Sequence, residues 1–165
     1  MLDVVTLMVI HSDNLATDVV LSRLDRDAMH VRLRKMGLEH TAAWNGFGTS
    51  FAPPEREPAN TTTARDIVML LERIRERADI MDVLAKQTDR AIIHHGTPND
   101  VACFTKSGQS GRVRNDAGIL TWEGGGAILV LFAVRNTDVP DFRELLAYDL
   151  ELAPIAEAAC LWARA

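Results

Sequence analysis

The chain has 165 residues, 47% of them apolar and 25% charged, with 23 acids against 18 Lys and Arg for a formal charge of -5. This describes one soluble globular domain, and the acidic balance with only 5% aromatic residues lacks the basic stripe that nucleic-acid binding demands. No apolar run reaches the roughly 18 residues that cross a bilayer, and the start Met1-Leu2-Asp3 has no basic region of a signal peptide.

Leu2, Val5, Leu7, Met8 and Val9 read as a helix that runs without a turn signal into His11-Ser12-Asp13-Asn14. The chain therefore reads as beginning in mid-element. Ser12 or Asp13 is a good N-cap for a helix over about 14–23, where Leu15, Val19, Val20 and Leu24 recur at helical spacing. Asp25 or Asp27 can cap the next helix, Ala28 to Met36, with Gly37 as its C′ residue. Residues 38–60 hold no sustained period and carry Gly46, Gly48, Pro53, Pro54 and Pro58, which predicts a long ordered loop. Its proline cluster reads as loop stiffening. Trp44, Phe47 and Phe51 either form the loop's own core or line a cleft.

Thr61-Thr62-Thr63 offers N-cap chemistry before an amphipathic helix marked by Ile67, Leu70, Leu71 and Ile74, and a short helix at about 79–87 follows. His94-His95 has no acid or cysteine at ligand spacing, so a solvated loop is expected there and no metal. Cys103 and Cys160 are far apart and outside any C-x-x-C pattern, so they read as small buried hydrophobes rather than a disulfide or zinc pair. From residue 100 the period turns to that of strands, near 101–104, 117–120 and 127–134. Gln109-Ser110-Gly111 and Glu123-Gly124-Gly125-Gly126 are hairpin connections, so an antiparallel meander is predicted. Phe142, Leu145, Leu146 and Leu150 restore helical spacing for a C-terminal helix over about 141–163, which Pro154 starts or kinks.

Two short elements carry chemistry: Ser12-Asp13-Asn14 at a helix start and Lys106-Ser107-Gly108 at a strand end. Either one alone reads as an ordinary cap or a solvated turn. In this order, with a helical region and long loop between them and two strands after, they resemble the penicillin-recognising serine hydrolases, above all the class A β-lactamases. Arg65-Asp66 after the threonine run and Arg114-Asn115-Asp116 after the lysine motif extend the resemblance over roughly residues 3–135.

The resemblance implies Ser12 and Lys106 as a proton-passing catalytic pair, since an ammonium lowers the cost of transiently deprotonating a hydroxyl. It implies that Asn14 and Ser107 bind substrate, Ser107 standing in for the usual threonine, and that the backbone N–H of Gln109 is one oxyanion donor. Arg114-Asn115-Asp116 reads as an exposed strand opening, or else Arg114 grips a substrate carboxylate bidentately. No cofactor is implied.

Two departures stand out. The family's nucleophile lies in Ser-x-x-Lys, and none of Ser12, Ser22, Ser50, Ser107 or Ser110 has lysine three positions later. Counting back from Thr61 to the place of the deacylating glutamate arrives near Phe47, and Asn60 stands where a loop-closing aspartate is expected. Met1 then looks like an internal position of a longer domain, and a chain of this kind alone is expected to be inactive.

The expected fold is α+β, of the β-lactamase/transpeptidase type with its N-terminal strands missing. A helical subdomain over 1–90 packs on a three-stranded antiparallel sheet over 100–135. An apolar strand edge at 127–134 would then invite a homodimer or the missing segment. The activity implied is hydrolysis of a β-lactam or a related amide or ester. The alternative is a non-catalytic binder of penicillins or peptides. The family implies a periplasmic or secreted location, for which this sequence carries no signal.

Overall fold

The computed structural model describes residues 1–57, 59–136 and 142–165. Pro58 and the expected start of the last helix at 141 lie outside them. The chain divides into two compact units, Met1–Arg73 and Ile74–Ala165, so the helices between 78 and 96 fall in the same unit as the sheet.

In the first unit α1 (Leu2–Ile10) leads into α2 (Asn14–Ser22), α3 (Arg26–Lys35) and α4 (Ala64–Ile74), whose last residue reaches the second unit. The caps explain the boundaries. Asp13 accepts the Ala16 N–H at 2.7 Å and Asp25 accepts the Ala28 N–H at 3.0 Å, so of each candidate pair one acid does the capping. Gly37 follows α3 with φ +80, as a C′ glycine should. Thr63 caps α4 by accepting the Asp66 N–H at 3.1 Å.

The loop from 38 to 60 is tied at its neck by the bridge between Ala42 and Thr61. Inside it, Trp44 stacks on His30 with ring centroids 3.4 Å apart. His30 Nε2 accepts the Ala43 N–H at 3.0 Å while Nδ1 donates to the Arg26 carbonyl at 2.6 Å, the hydrogen-bond set of a neutral imidazole. Arg26, itself buried, donates to the carbonyls of Trp44 and Pro54 at 2.6 and 3.0 Å. Trp44 is therefore part of the loop's own core, whereas Phe47 and Phe51 are exposed.

The second unit holds α5 (Ala78–Leu84), α6 (Ile92–Gly96), the meander β1 (Ala102–Ser110), β2 (Val113–Trp122) and β3 (Gly125–Val134), and α7 (Phe142–Arg164). The sheet order is β1-β2-β3, antiparallel throughout. Each connection is two residues, Gly111-Arg112 and Glu123-Gly124, and Gly111 takes φ +48, which a side chain would resist. Ile93, Val101, Leu120 and Cys160 form the core between helices and sheet, with Cys103, Trp122, Leu129 and Leu131 packed against it. Pro154 lies inside α7, which continues past it.

Three expectations are corrected. Lys106-Ser107-Gly108 lies in the middle of β1, not at its end, because the ladder continues to the pair Ser110 with Val113. Arg114 and Asp116 are not an exposed strand opening: they are 2% and 1% exposed within β2. His94 and His95 sit in α6, which is held in place by the buried Ile92 and Ile93, rather than in a loop.

Candidate functional site

In the first unit the Ser-Asp-Asn motif divides its labour along the chain. Asp13 is the cap, and Asn14 is the first, exposed residue of α2. Ser12, just before the cap, has φ +52 and is the one non-glycine residue in the left-handed region among those described. A serine held there carries backbone strain of about 1–2 kcal/mol. Ser12 lies in the three-residue connection between α1 and α2, and its side chain is exposed just before the α2 cap.

One turn along the same helix, the fully buried Asp18 reaches into the loop. Its Oδ1 accepts the Phe47 N–H at 2.7 Å and its Oδ2 the Thr49 N–H at 3.0 Å. Burial acts to raise the carboxyl's pKa, but these bonds and one from the Thr49 hydroxyl outweigh it and hold Asp18 below the ordinary carboxylate range. Asn60 does the loop-closing expected of an aspartate: its Oδ1 accepts the N–H groups of Trp44 and Asn45, both at 2.8 Å, and its Nδ2 donates to the Asn45 carbonyl at 2.7 Å.

In the second unit β1 is, among the described residues, an edge strand of the sheet, the position at which an extended ligand can add to a sheet. Lys106 is half-buried there and its Nζ donates to the Ser107 carbonyl at 2.6 Å. Burial pulls its pKa below the ordinary lysine value, partly offset by Asp89 and Asp116. Strand alternation turns Ser107 to the opposite face, where it is buried and its hydroxyl donates to Asp89 Oδ2.

On that face Arg114 spends its guanidinium on acids. Nε and Nη2 bond both oxygens of the buried Asp149 at 2.7 and 2.6 Å. Nη1 bonds Asp89 Oδ2 and Gln109 Oε1, both at 3.1 Å, and Nη2 bonds Asp89 Oδ1 at 3.3 Å. Burial opposes the charge, but the two carboxylates raise the pKa of Arg114 above its usual value and leave it a fixed cation. Asp89 is held below the ordinary range against its own burial by Arg114 and Ser107. Gln109 is exposed, with its side chain on Arg114.

Asp116 occupies the same face. Its Oδ2 accepts the Ile93 N–H at 2.9 Å, satisfying one orphan donor of α6, while Oδ1 has no hydrogen-bond partner among the described residues. Burial pushes this carboxyl up to about 6.

Of the residues singled out by sequence, Ser12 and Asn14 thus lie in the first unit, and Lys106, Ser107, Gln109 and Arg114 in the second, where the last three share one hydrogen-bonded group with Asp89. Asp18, Asp89 and Asp149 were not legible as site residues. A partial signal exists for two of them: Asp18 lies among Ala16, Val19 and Val20, and Asp149 among Leu145, Leu146 and Leu150. An acid on an apolar helical face needs a buried partner.

The chain matches the family described as Beta-lactamase enzyme family over residues 1–150. No curated protein matches it. Among solved structures it is similar to the β-lactamase from Sphaerobacter thermophilus DSM 20745, at 22% identity and TM-score 0.79, covering 98% of this chain and 62% of that one. It is also similar to a mutant of PBP-A in its acyl-enzyme complex with penicillin G, at 23% identity and TM-score 0.75, covering 95% and 60%. An ancestral class A β-lactamase is similar at 23% identity and TM-score 0.73, covering 95% and 64%. The chain therefore spans less than two thirds of the length of each of these structures, whose helices and antiparallel sheet it shares. By the match over residues 1–150, the chain belongs to the β-lactamase enzyme family.

Proposed function

We propose that these 165 residues carry the Ser-Asp-Asn and Lys-Ser-Gly portions of a β-lactamase-like serine hydrolase site, acting on a β-lactam or a related amide or ester. The observation that supports this most is the half-buried Lys106 with its lowered pKa in the middle of an edge strand. An ammonium whose proton is easier to release can exchange it with a hydroxyl as an amide nitrogen departs. In this reading Ser12 and Lys106 pass that proton, Asn14 hydrogen-bonds the substrate's amide, and the Gln109 N–H stabilises the oxyanion. The left-handed backbone at Ser12 suits that role, since such strain collects at functional positions.

The sequence contains no Ser-x-x-Lys and no acid at Phe47, so the proposal is that these residues bind the substrate without forming an acyl-enzyme. The methyl ester of benzylpenicillin, which carries no free carboxylate, is the probe. Intact-mass spectrometry after incubation is expected to show the unmodified chain, and NMR titration to show saturable shifts at Lys106 and Gly108 that Lys106→Ala removes. A stable covalent adduct overturns the claim that no acyl-enzyme forms. Absence of shifts in the wild type overturns the substrate class.

A further inference from the structure

Ser107 and Arg114 together form a receptor for one carboxylate, and Asp89 already occupies it. A hydroxyl has one proton to give, and that of Ser107 goes to Asp89 Oδ2. A guanidinium has five N–H donors. Those of Arg114 are all engaged: two on Asp149, two on Asp89 and one on Gln109. The two acids are not equivalent. Asp149 is 4% exposed at its side chain and belongs to α7, and with Arg114 it makes an internal neutral pair. Asp89 is 42% exposed, lies on the connection between α5 and α6, and adds a net negative charge to a pair that is already balanced. It is held end-on by the fork of an arginine and by a hydroxyl, the geometry in which proteins grip a free carboxylate.

We propose that Asp89 is a specificity-determining residue: its carboxylate fills the Ser107–Arg114 receptor, so the site favours substrates that are neutral or cationic at that point and turns away those with a carboxylate there. The proposal rests on the hydrolase reading for the identity of the site. A second carboxylate would find the Ser107 proton and both Arg114 edges taken and would face a like charge at contact distance. A substrate amine or amide N–H would meet the exposed side of Asp89 as an acceptor.

The test uses sodium acetate as probe, with sodium chloride at equal ionic strength as control. Asp89→Ala empties the receptor while keeping Ser107 and Arg114. Acetate is expected to produce saturable NMR shifts at the Ser107 amide and the Arg114 Nε–H of this variant and to raise its Tm, with no such response in the wild type. Failure of acetate to shift or stabilise Asp89→Ala overturns the proposal, as does an equal response in the wild type. Asp89→Asn keeps an acceptor for Ser107 without the charge, so it covers the case in which the alanine variant unfolds. It is expected to bind acetate roughly tenfold more tightly than the wild type, and equal binding overturns the proposal. Benzylpenicillin and its methyl ester then form a second arm. The ratio of acid to ester affinity is expected to rise roughly tenfold in Asp89→Asn, and an unchanged ratio counts against Asp89. If acetate behaves as expected but neither penicillin form binds any variant, the β-lactam reading fails while the receptor stands.

Discussion

Asp18 stands where any side chain on residue 46 would have to go: a Cβ on Gly46 would run into Asp18 Oδ1, closer than two unbonded atoms can approach. The contact joins α2, which begins at the Ser-Asp-Asn motif, to the loop through the N–H groups of Phe47 and Thr49. Glycine at 46 is thus the condition for the carboxylate to reach both amides. Gly46→Ala is expected to cost about 1–3 kcal/mol by overpacking. Hydrogen exchange should show protection lost at Phe47 and Thr49, while amides of α3 away from the loop keep theirs.

A second expectation concerns the buried charge in the sheet unit. Asp149→Ala leaves Arg114 buried with Asp89 as its remaining acid, and breaking such a pair costs about 3–5 kcal/mol. The double variant Arg114→Met, Asp149→Leu removes both charges and is expected to lose less than the single one. Urea unfolding of the three proteins checks the order. A double variant less stable than Asp149→Ala would mean that the ion pair itself, rather than the cost of orphaning one member, carries the stability.

Asp116 sets a pH dependence of unusual sign for a carboxylate. Its folded pKa of about 6 lies above the ordinary 3.8, so the folded chain holds this proton more tightly than the unfolded one. Its contribution is fully present below about pH 4 and is lost as pH rises through about 6, a difference of about 3 kcal/mol at 1.36 kcal/mol per unit. Asp18, Asp66 and Asp89 act in another window: their folded pKa values are lowered, so their contributions disappear only as pH falls below about 4. His94, whose pKa is lowered by burial, works against Asp116 by gaining stability as pH rises below about 6.5. The readout is therefore the stability of the wild type minus that of Asp116→Asn, which should decline between pH 4 and 7. A flat difference refutes the assignment.

The strain at Ser12 can be measured without reference to catalysis. Ser12→Gly and Ser12→Ala both remove the hydroxyl, but only glycine adopts φ +52 without a Cβ penalty. The glycine variant is expected to be more stable than the alanine one by about 1 kcal/mol, less the chain entropy that glycine adds to the unfolded state. Thermal melts of the pair suffice. Binding of the benzylpenicillin methyl ester should weaken in both.

What the sequence made legible was local. Asp13, Asp25, Gly37 and Thr63 announce helix ends because each satisfies backbone groups within four residues of itself. The meander is legible because its turns carry glycine. The polar run Thr105 to Ser110 reads as a loop on its own composition, and only its pairing with β2 makes it strand, which is why Lys106 lies deeper in the ladder than the motif suggests. Arg114 gave the least warning. Its partners Asp89 and Asp149 are 25 and 35 positions away, and nothing beside Arg114 in sequence says that a cation will be buried there.

The same spacing separates local ties from long-range ones. Both turns of the meander span two residues, so zipping β1, β2 and β3 closes the shortest loops available and costs little chain entropy. The bond from Arg114 to Asp149, across 35 positions, is by contrast a long-range tie that fastens β2 to α7.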